Sequence, residues 1–311
     1  MTTNQEGKHE AVRAITGTAR SYNEDWHALF DDDGIAAGPF DSRMLAWINA
    51  TLGTSHTNVN EAMQAFAVDQ GFANWASMNT FESGFSLSSL PNVAALYEPY
   101  DTSKVFAERT SPTTPSTVGG VVGTLYDTSV NASHVAAGSD AARPLLRAGV
   151  AGNYVEFDGV NKNLRKVFTL VQPFTRITLL RANTWTSGDR LMDGATADSQ
   201  YVFQQTSTPQ FTARNGVGLF NVTTVPLTTW FVLTEVANGA SSKAKINNGS
   251  FTNLTYGGIN PGGVSFGANG SGGTQFGHVD LGGCVITSAV LSDDDIAAAV
   301  TFLGAKQGLT V

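Results

Sequence analysis

From residue 153 to residue 290, apolar and polar positions alternate in short runs closed by turn signals, and this period of two predicts a succession of half-buried strands. The first run, Asn153-Tyr154-Val155-Glu156-Phe157, sets Tyr154, Glu156 and then Asp158 on one face and Val155 and Phe157 on the other. Asp158-Gly159 supplies the reversal, because glycine takes the positive φ that a tight turn needs. Further strands are expected at 164–170, 174–182, 200–206, 210–214, 217–222, 229–237, 242–247, 250–256, 263–267 and 277–290. Between them stand Gly188-Asp189, Asp193-Gly194, Asn215-Gly216, Asn238-Gly239 and Asn248-Gly249. Many short strands with this punctuation predict a mainly β fold, a β-sandwich or jelly roll.

Ahead of the strands the period changes to that of a helix. Trp26, Leu29 and Phe30 form one set, followed by Phe40, Met44, Leu45 and Ile48, by Val59, Met63, Phe66 and Ala67, and by Phe72, Trp75 and Met78. Each set recurs at three or four residues and marks one face of a short helix. Residues 1–21 are polar and without period, so a flexible arm is expected there. The predicted organisation is an arm at 1–21, a small helical module at 22–81, a Ser/Gly/Leu linker at 82–90 and a β domain at 91–311. Within that domain the Pro-rich stretch 110–117 should be an exposed loop, since its prolines remove ladder donors. The chain closes with Ser292 to Asp295 leading into Ile296, Ala299, Val300 and Leu303. This is a capping box and a short helix, expected at one edge or end of the sandwich.

Composition narrows the function. Of 311 residues 41% are hydrophobic, enough for a core, and only 14% are charged, about half the usual share. A net charge of −8 argues against a nucleic-acid partner, which needs clustered Lys and Arg. No run reaches the ~18 apolar residues of a membrane helix, so no membrane insertion is expected, and the N-terminal residues lack the apolar core of an export signal. Cys284 is the single cysteine, which rules out an intrachain disulfide and reads as a small buried hydrophobe.

Candidate chemistry is sparse. The stretch 31–34, Asp-Asp-Asp-Gly, fails as a calcium loop because Ile35 stands where a side-chain oxygen is required and Ser42 where a bidentate glutamate is required. The acidic residues 293–295 fit the first turn of a helix, where negative charge meets the dipole. His9, His27, His56, His134 and His278 are scattered without metal-ligand spacing. No cofactor or metal is expected. Glu156 and Asp158 form a carboxylate pair of the kind glycosidases use, yet Asp158 is also the natural residue before Gly159, so the chain is read as non-catalytic. Loops at the end of a sandwich usually carry binding, which makes Trp185, Asp189, Arg190, Asp193, Tyr256 and Asn269 the candidate ligand-binding set.

Two resemblances add to this. The phrases Trp-x-x-Leu-Phe (26–30), Gly-Pro-Phe-Asp-Ser-Arg-Met-Leu-Ala-Trp-Ile (38–48) and Ala-Met-Gln-Ala-Phe-Ala (62–67) resemble a small helical segment of tailed-bacteriophage structural proteins. Leu-Tyr-Asp (125–127), Arg-Pro (143–144), Tyr-Val-Glu-Phe-Asp-Gly-Val-Asn-Lys-Asn-Leu (154–164) and the closing Thr-Ser-Ala-Val-Leu-Ser-Asp-Asp-Asp (287–295) are similar to concanavalin A-like, laminin G-like jelly rolls. This second resemblance spans 96–311. Asn161-Lys162-Asn163 departs from the acidic or aromatic residues more usual there, which weakens the transfer of a calcium or sugar site. Together the two imply a virion structural protein, in fibre, collar or capsid decoration, with a stand-alone carbohydrate-binding module, or a glycosidase or lyase on the same fold, as the alternatives. The virion protein would dock on other virion proteins through the arm and helical module, form a homo-oligomer, and expose a sandwich to cell-surface glycans.

Overall fold

The alternation of the sequence is realised as two antiparallel sheets. The computed structural model describes residues 85–311, apart from 197–198, 205–210, 216–217, 223–224 and 255–256, together with residues 46, 48–50, 52 and 55. Met1–Gly84 and Phe85–Val311 are separate compact units. In the first, residues 46, 48–50 and 52 are helical, within the stretch where Ile48 and its neighbours predict a helix. The arm at 1–21, the rest of the helical module and the 31–34 stretch lie outside the described residues.

The strands of the second unit, in chain order, are β1 (Val93–Tyr97), β2 (Val105–Phe106), β3 (Thr124–Leu125), β4 (Val135–Ala136), β5 (Leu145–Ala148), β6 (Asn153–Glu156), β7 (Leu164–Val167), β8 (Phe174–Ala182), β9 (Arg190–Asp193), β10 (Tyr201–Gln204), β11 (Phe211–Asn215), β12 (Gly218–Val222), β13 (Trp230–Ala237), β14 (Ser242–Ile246), β15 (Thr252–Leu254), β16 (Gly263–Phe266) and β17 (Val279–Thr287). Helix α1 (Asp293–Ala305) follows. One sheet has eight strands in the order β15-β14-β13-β8-β17-β6-β5, with β1 also paired to β17. The other has nine, in the order β12-β11-β10-β9-β16-β7-β4-β3-β2. Between the sheets lies the main core, to which Val155, Phe157, Phe174, Leu180, Phe231, Leu281 and Ile286 come from one side and Val105, Leu125, Leu164, Leu191, Val202, Val264 and Phe266 from the other. Val155 and Phe157 therefore point where the period of two sends them.

Two expectations are corrected. The three residues between the turn pairs Gly188-Asp189 and Asp193-Gly194, together with Asp193, form β9, which sits inside the nine-stranded sheet between β10 and β16. Helix α1 does not lie at an edge or end. It covers the outer face of the eight-stranded sheet, because β8, β13 and β17 are apolar on both faces and Ile177, Leu179, Val232, Val236 and Val285 need cover. Ile296, Ala299, Val300 and Leu303, one stripe of the helix, supply it. Ser292 caps α1: its Oγ accepts from Asp295 N at 3.1 Å and donates to Asp295 Oδ2 at 2.7 Å. Leu87 and Leu90, in the expected linker 82–90, are buried in this second cluster, so the sandwich unit begins at Phe85.

One glycine and one ion pair hold the layers in register. At Gly267 φ is +75°, and a Cβ there would lie 2.3 Å from the Phe157 ring, so the loop after β16 passes directly over that core residue. Arg176 and Glu235, cross-strand partners on β8 and β13, are each 1% exposed inside the sandwich. Arg176 Nε and Nη2 donate to Glu235 Oε2 at 2.9 and 2.6 Å, and Nη2 reaches the Gln200 carbonyl at 3.5 Å, which ties the eight-stranded sheet to the residue entering β10.

Candidate functional site

Helix α1 covers only part of the outer face. Along β8 the outward residues run Thr175, Ile177, Leu179 and Arg181; Ile177 and Leu179 join the buried outer cluster that includes α1, Trp230 packs against its margin, and the Arg181 side chain remains 23% exposed. Beyond the helix a row of side chains crosses the sheet in direct register: Trp230 opposes Arg181, Arg181 opposes Asp280, and Asp280 opposes Glu156. On the flanking pair β5 and β6, Arg147 opposes Tyr154. Five strands thus contribute to one patch.

Its geometry is specific. The Arg181 guanidinium lies between two rings, 4.9 Å from the Tyr154 centroid and 4.7 Å from that of Trp230, and the rings meet edge to face at 5.3 Å. This cation–π arrangement holds the long side chain flat on the sheet. Arg181 Nε and Nη2 both reach Asp280 Oδ2 at 2.6 Å. Oδ1 of the fully buried Asp280 meets no donor in full hydrogen-bond geometry among the described residues, with the Asn183 amide near enough to act on the carboxyl. Burial raises the Asp280 carboxyl above its ordinary range, the Asn183 amide and Arg181 pull it back, and the Glu156 charge adds to the rise. Glu156 accepts from Arg147 Nε and has His278 Nε2 3.6 Å from its Oε1.

The room for this arrangement comes from a bulge in β17, where the register with β8 shifts between Leu281 and Gly283. A Cβ on Gly282 would lie 2.5 Å from Leu179 Cδ2 and 3.2 Å from the Trp230 ring. Only a bare backbone lets the indole settle there. At the same end of the sandwich three connections gather: Asn183 N donates to His278 O at 2.9 Å, Arg190 N donates to Gln275 O at 2.9 Å, and Gly159 lies against His278.

The described members of the sequence-predicted set lie in or beside these connections, buried or half-buried. Trp185 is half-buried against the main core. Asp189 lies in the β8–β9 connection, its carboxyl raised by burial against the opposing pull of Thr186 and Arg190. Arg190 opens β9, and its guanidinium is 3.8 Å from the Tyr201 centroid and 5.1 Å from that of Phe203. Asp193 closes β9 fully buried, with Oδ1 accepting from Gly194 N at 2.7 Å and Oδ2 from Gly270 N at 2.8 Å. Next to it, Asn269 donates to Thr274 Oγ1 and accepts from Ser271 Oγ, each at 2.7 Å. Tyr256 lies outside the described residues. The structure brings Asp193 and Asn269 together as a clamp on the 269–275 loop, while Trp185 and Asp189 belong to a different connection.

The carboxylate pair is also re-sorted. Strand β6 ends at Glu156, and Asp158 turns its Oδ1 to the backbone N–H groups of Val160, Asn161 and Lys162 at 2.9, 3.1 and 3.3 Å. The partner of Glu156 is Asp280, from the other end of the domain sequence. Of the patch, sequence reasoning placed Tyr154 and Glu156 on one face and missed Arg147, Arg181, Trp230 and Asp280. The signal available was a charge inside an otherwise apolar strand, as at Arg181 and Asp280. Cys284 is buried, hydrogen-bonded by Thr178 Oγ1 at 3.3 Å, and burial pushes its thiol up to about 12, which leaves it unreactive. Among the described residues no group of three or more His, Cys, Asp or Glu side chains is arranged to hold a metal ion.

No protein-family model matches the chain, and no curated protein matches it. Solved structures do. An α-L-arabinofuranosidase of family GH54, soaked with 4-nitrophenyl α-L-arabinofuranoside, is similar over 74% of this chain and 65% of its own, with 14% identity and a TM-score of 0.50. An arabinofuranosidase complexed with arabinofuranosyl-α-1,2-xylobiose has 14% identity over the same shares and a TM-score of 0.48. Trypanosoma rangeli sialidase is similar over 76% of this chain, at 12% identity and a TM-score of 0.49. The chain spans 39% of that sialidase's length and 65% of the arabinofuranosidases'. At these identities the likeness concerns the fold alone.

Proposed function

We propose that residues 85–311 form a non-catalytic carbohydrate-binding sandwich of a virion structural protein. The observation that carries the binding reading is the half-exposed row on the outer sheet face, where Trp230 and Tyr154 stand beside Arg147, Arg181 and Glu156. Saccharide recognition calls for this mixture: ring surfaces for the apolar C–H face of a sugar, and fixed donors and acceptors for its hydroxyls. The strands hold these groups in place before any ligand arrives, so little ordering entropy is lost on binding. Hydrolysis is disfavoured by the same geometry. Asp280 is sealed beneath Arg181 and Glu156 is engaged by Arg147, so neither carboxyl is placed to protonate a leaving group. The jelly-roll resemblance of 96–311 supports the fold assignment. The resemblance of 26–67 supports docking on other virion proteins through the arm and the helical module, in a homo-oligomer.

A glycan array probed with the whole protein and with Trp230→Ala tests the binding reading. Binding to a defined subset, lost in the variant, is expected, and a wild-type protein that binds nothing contradicts it. Mass spectrometry of purified phage particles tests the virion assignment, which falls if the protein is absent from them.

A further inference from the structure

We propose that the sugar recognised by this patch carries a carboxylate, as a uronic acid does, and that the outer edge of Arg147 receives it. The inference rests on the saccharide-binding reading and narrows it to one chemical class. Arg147 is the most exposed charged side chain of the patch, at 40%, against 28% for His278, 26% for Glu156, 23% for Arg181 and 0% for Asp280. Its only hydrogen bond is from Nε to Glu156, so among the described residues Nη1 and Nη2 have no partner. Those two nitrogens form the planar edge that matches a carboxylate with two parallel N–H···O bonds.

The charges around this edge are ordered by depth. Both acidic groups carry an arginine, Glu156 that of Arg147 and Asp280 that of Arg181, and the buried Asp280 is withheld from solvent altogether. The donor that remains points outward at Arg147. An incoming anion therefore meets Arg147 as the most exposed charge of the patch, with each acid already paired to an arginine, although the chain as a whole is acidic. Tyr154, opposite Arg147 in register, carries the nearest ring of the row, which packs toward Arg181 and Trp230 and offers its remaining face to a pyranose. A neutral sugar uses the same ring but leaves the Nη edge to water.

Calorimetric titration of the whole protein with paired oligosaccharides differing only in charge tests this. Trigalacturonate beside α-1,4-galactotriose, and tetrameric β-1,4-glucuronan beside cellotetraose, are suitable probes. At low salt the acidic member of a pair should bind at least about tenfold tighter, and added salt should narrow the gap. Arg147→Met should abolish the preference and Arg147→Lys should keep part of it. The double variant Arg147→Met/Glu156→Gln, which removes one charge of each sign, should also lose the preference while remaining folded by circular dichroism. Equal binding of both members, or preference for the neutral one, overturns the carboxylate assignment and leaves the saccharide reading standing. Binding of neither member of either pair overturns the assignment, and the glycan array then decides separately whether the patch binds sugar at all.

Discussion

Asp280 and Asp158 show how the same side chain is driven in opposite directions by its surroundings. Burial lifts the Asp280 carboxyl above its ordinary value of 3.8, so the folded state holds that proton more tightly than the unfolded chain does. Its contribution to stability is therefore greatest below 3.8 and declines as pH rises through the folded value. Asp280→Asn should flatten that decline in urea-unfolding midpoints measured from pH 3.5 to 7, and an unchanged slope contradicts the account. Burial also pushes the Asp158 carboxyl upward, but three backbone N–H groups outweigh it and the net shift is downward. Its contribution is present above 3.8 and lost as pH falls through the lowered value. Asp158→Ala should cost about 1 kcal/mol at pH 7, discounted for exposure, with the difference closing in strong acid. The turn role of Asp158 was legible in the sequence because all its partners lie within four residues. The Glu156–Asp280–Arg181 row was not, because it exists only once β6, β17 and β8 are paired in register.

At the scale of elements, the period of two placed most strands and the capping box placed α1, since both signals are local. Strand β9 escaped because glycine and aspartate at either end mimic turns, whereas Asp193 is kept in the sheet by the N–H of Gly270, a residue far along the chain. The position of α1 escaped for a related reason. Its apolar stripe says that it is covered, while the surface that covers it, the outer face of β8, β13 and β17, depends on strand order. The bulge in β17 is where element and patch meet. Gly282→Ala should destabilise the fold by about 1–3 kcal/mol through overpacking against Leu179, and shift Trp230. Denaturant melts and tryptophan fluorescence report the two effects. A variant with native stability and an unmoved indole signal contradicts this packing.

For the whole sandwich, the two sheets are joined by a continuous apolar core and, within it, by the Arg176–Glu235 pair with its reach to Gln200. Removing one partner strands a buried charge, so Glu235→Ala should cost about 3–5 kcal/mol, whereas Arg176→Met/Glu235→Met should recover most of that loss. Chemical denaturation of the two variants separates a tie that stabilises from one that merely tolerates its own burial. The fold leaves the row at Trp230, Arg181, Glu156 and Arg147 partly open to solvent, and the functional reading depends on a ligand meeting it there. The most direct test is a two-dimensional NMR titration of the protein with an array-selected oligosaccharide, following the Trp230 indole N–H, the Arg147 Nε–H and the backbone amides of Tyr154 and Glu156. The account predicts saturable shifts at these signals, with the amides of α1 and of the 269–275 loop unmoved. Shifts confined to the 183–189 and 269–275 loops, with Trp230 silent, would contradict it.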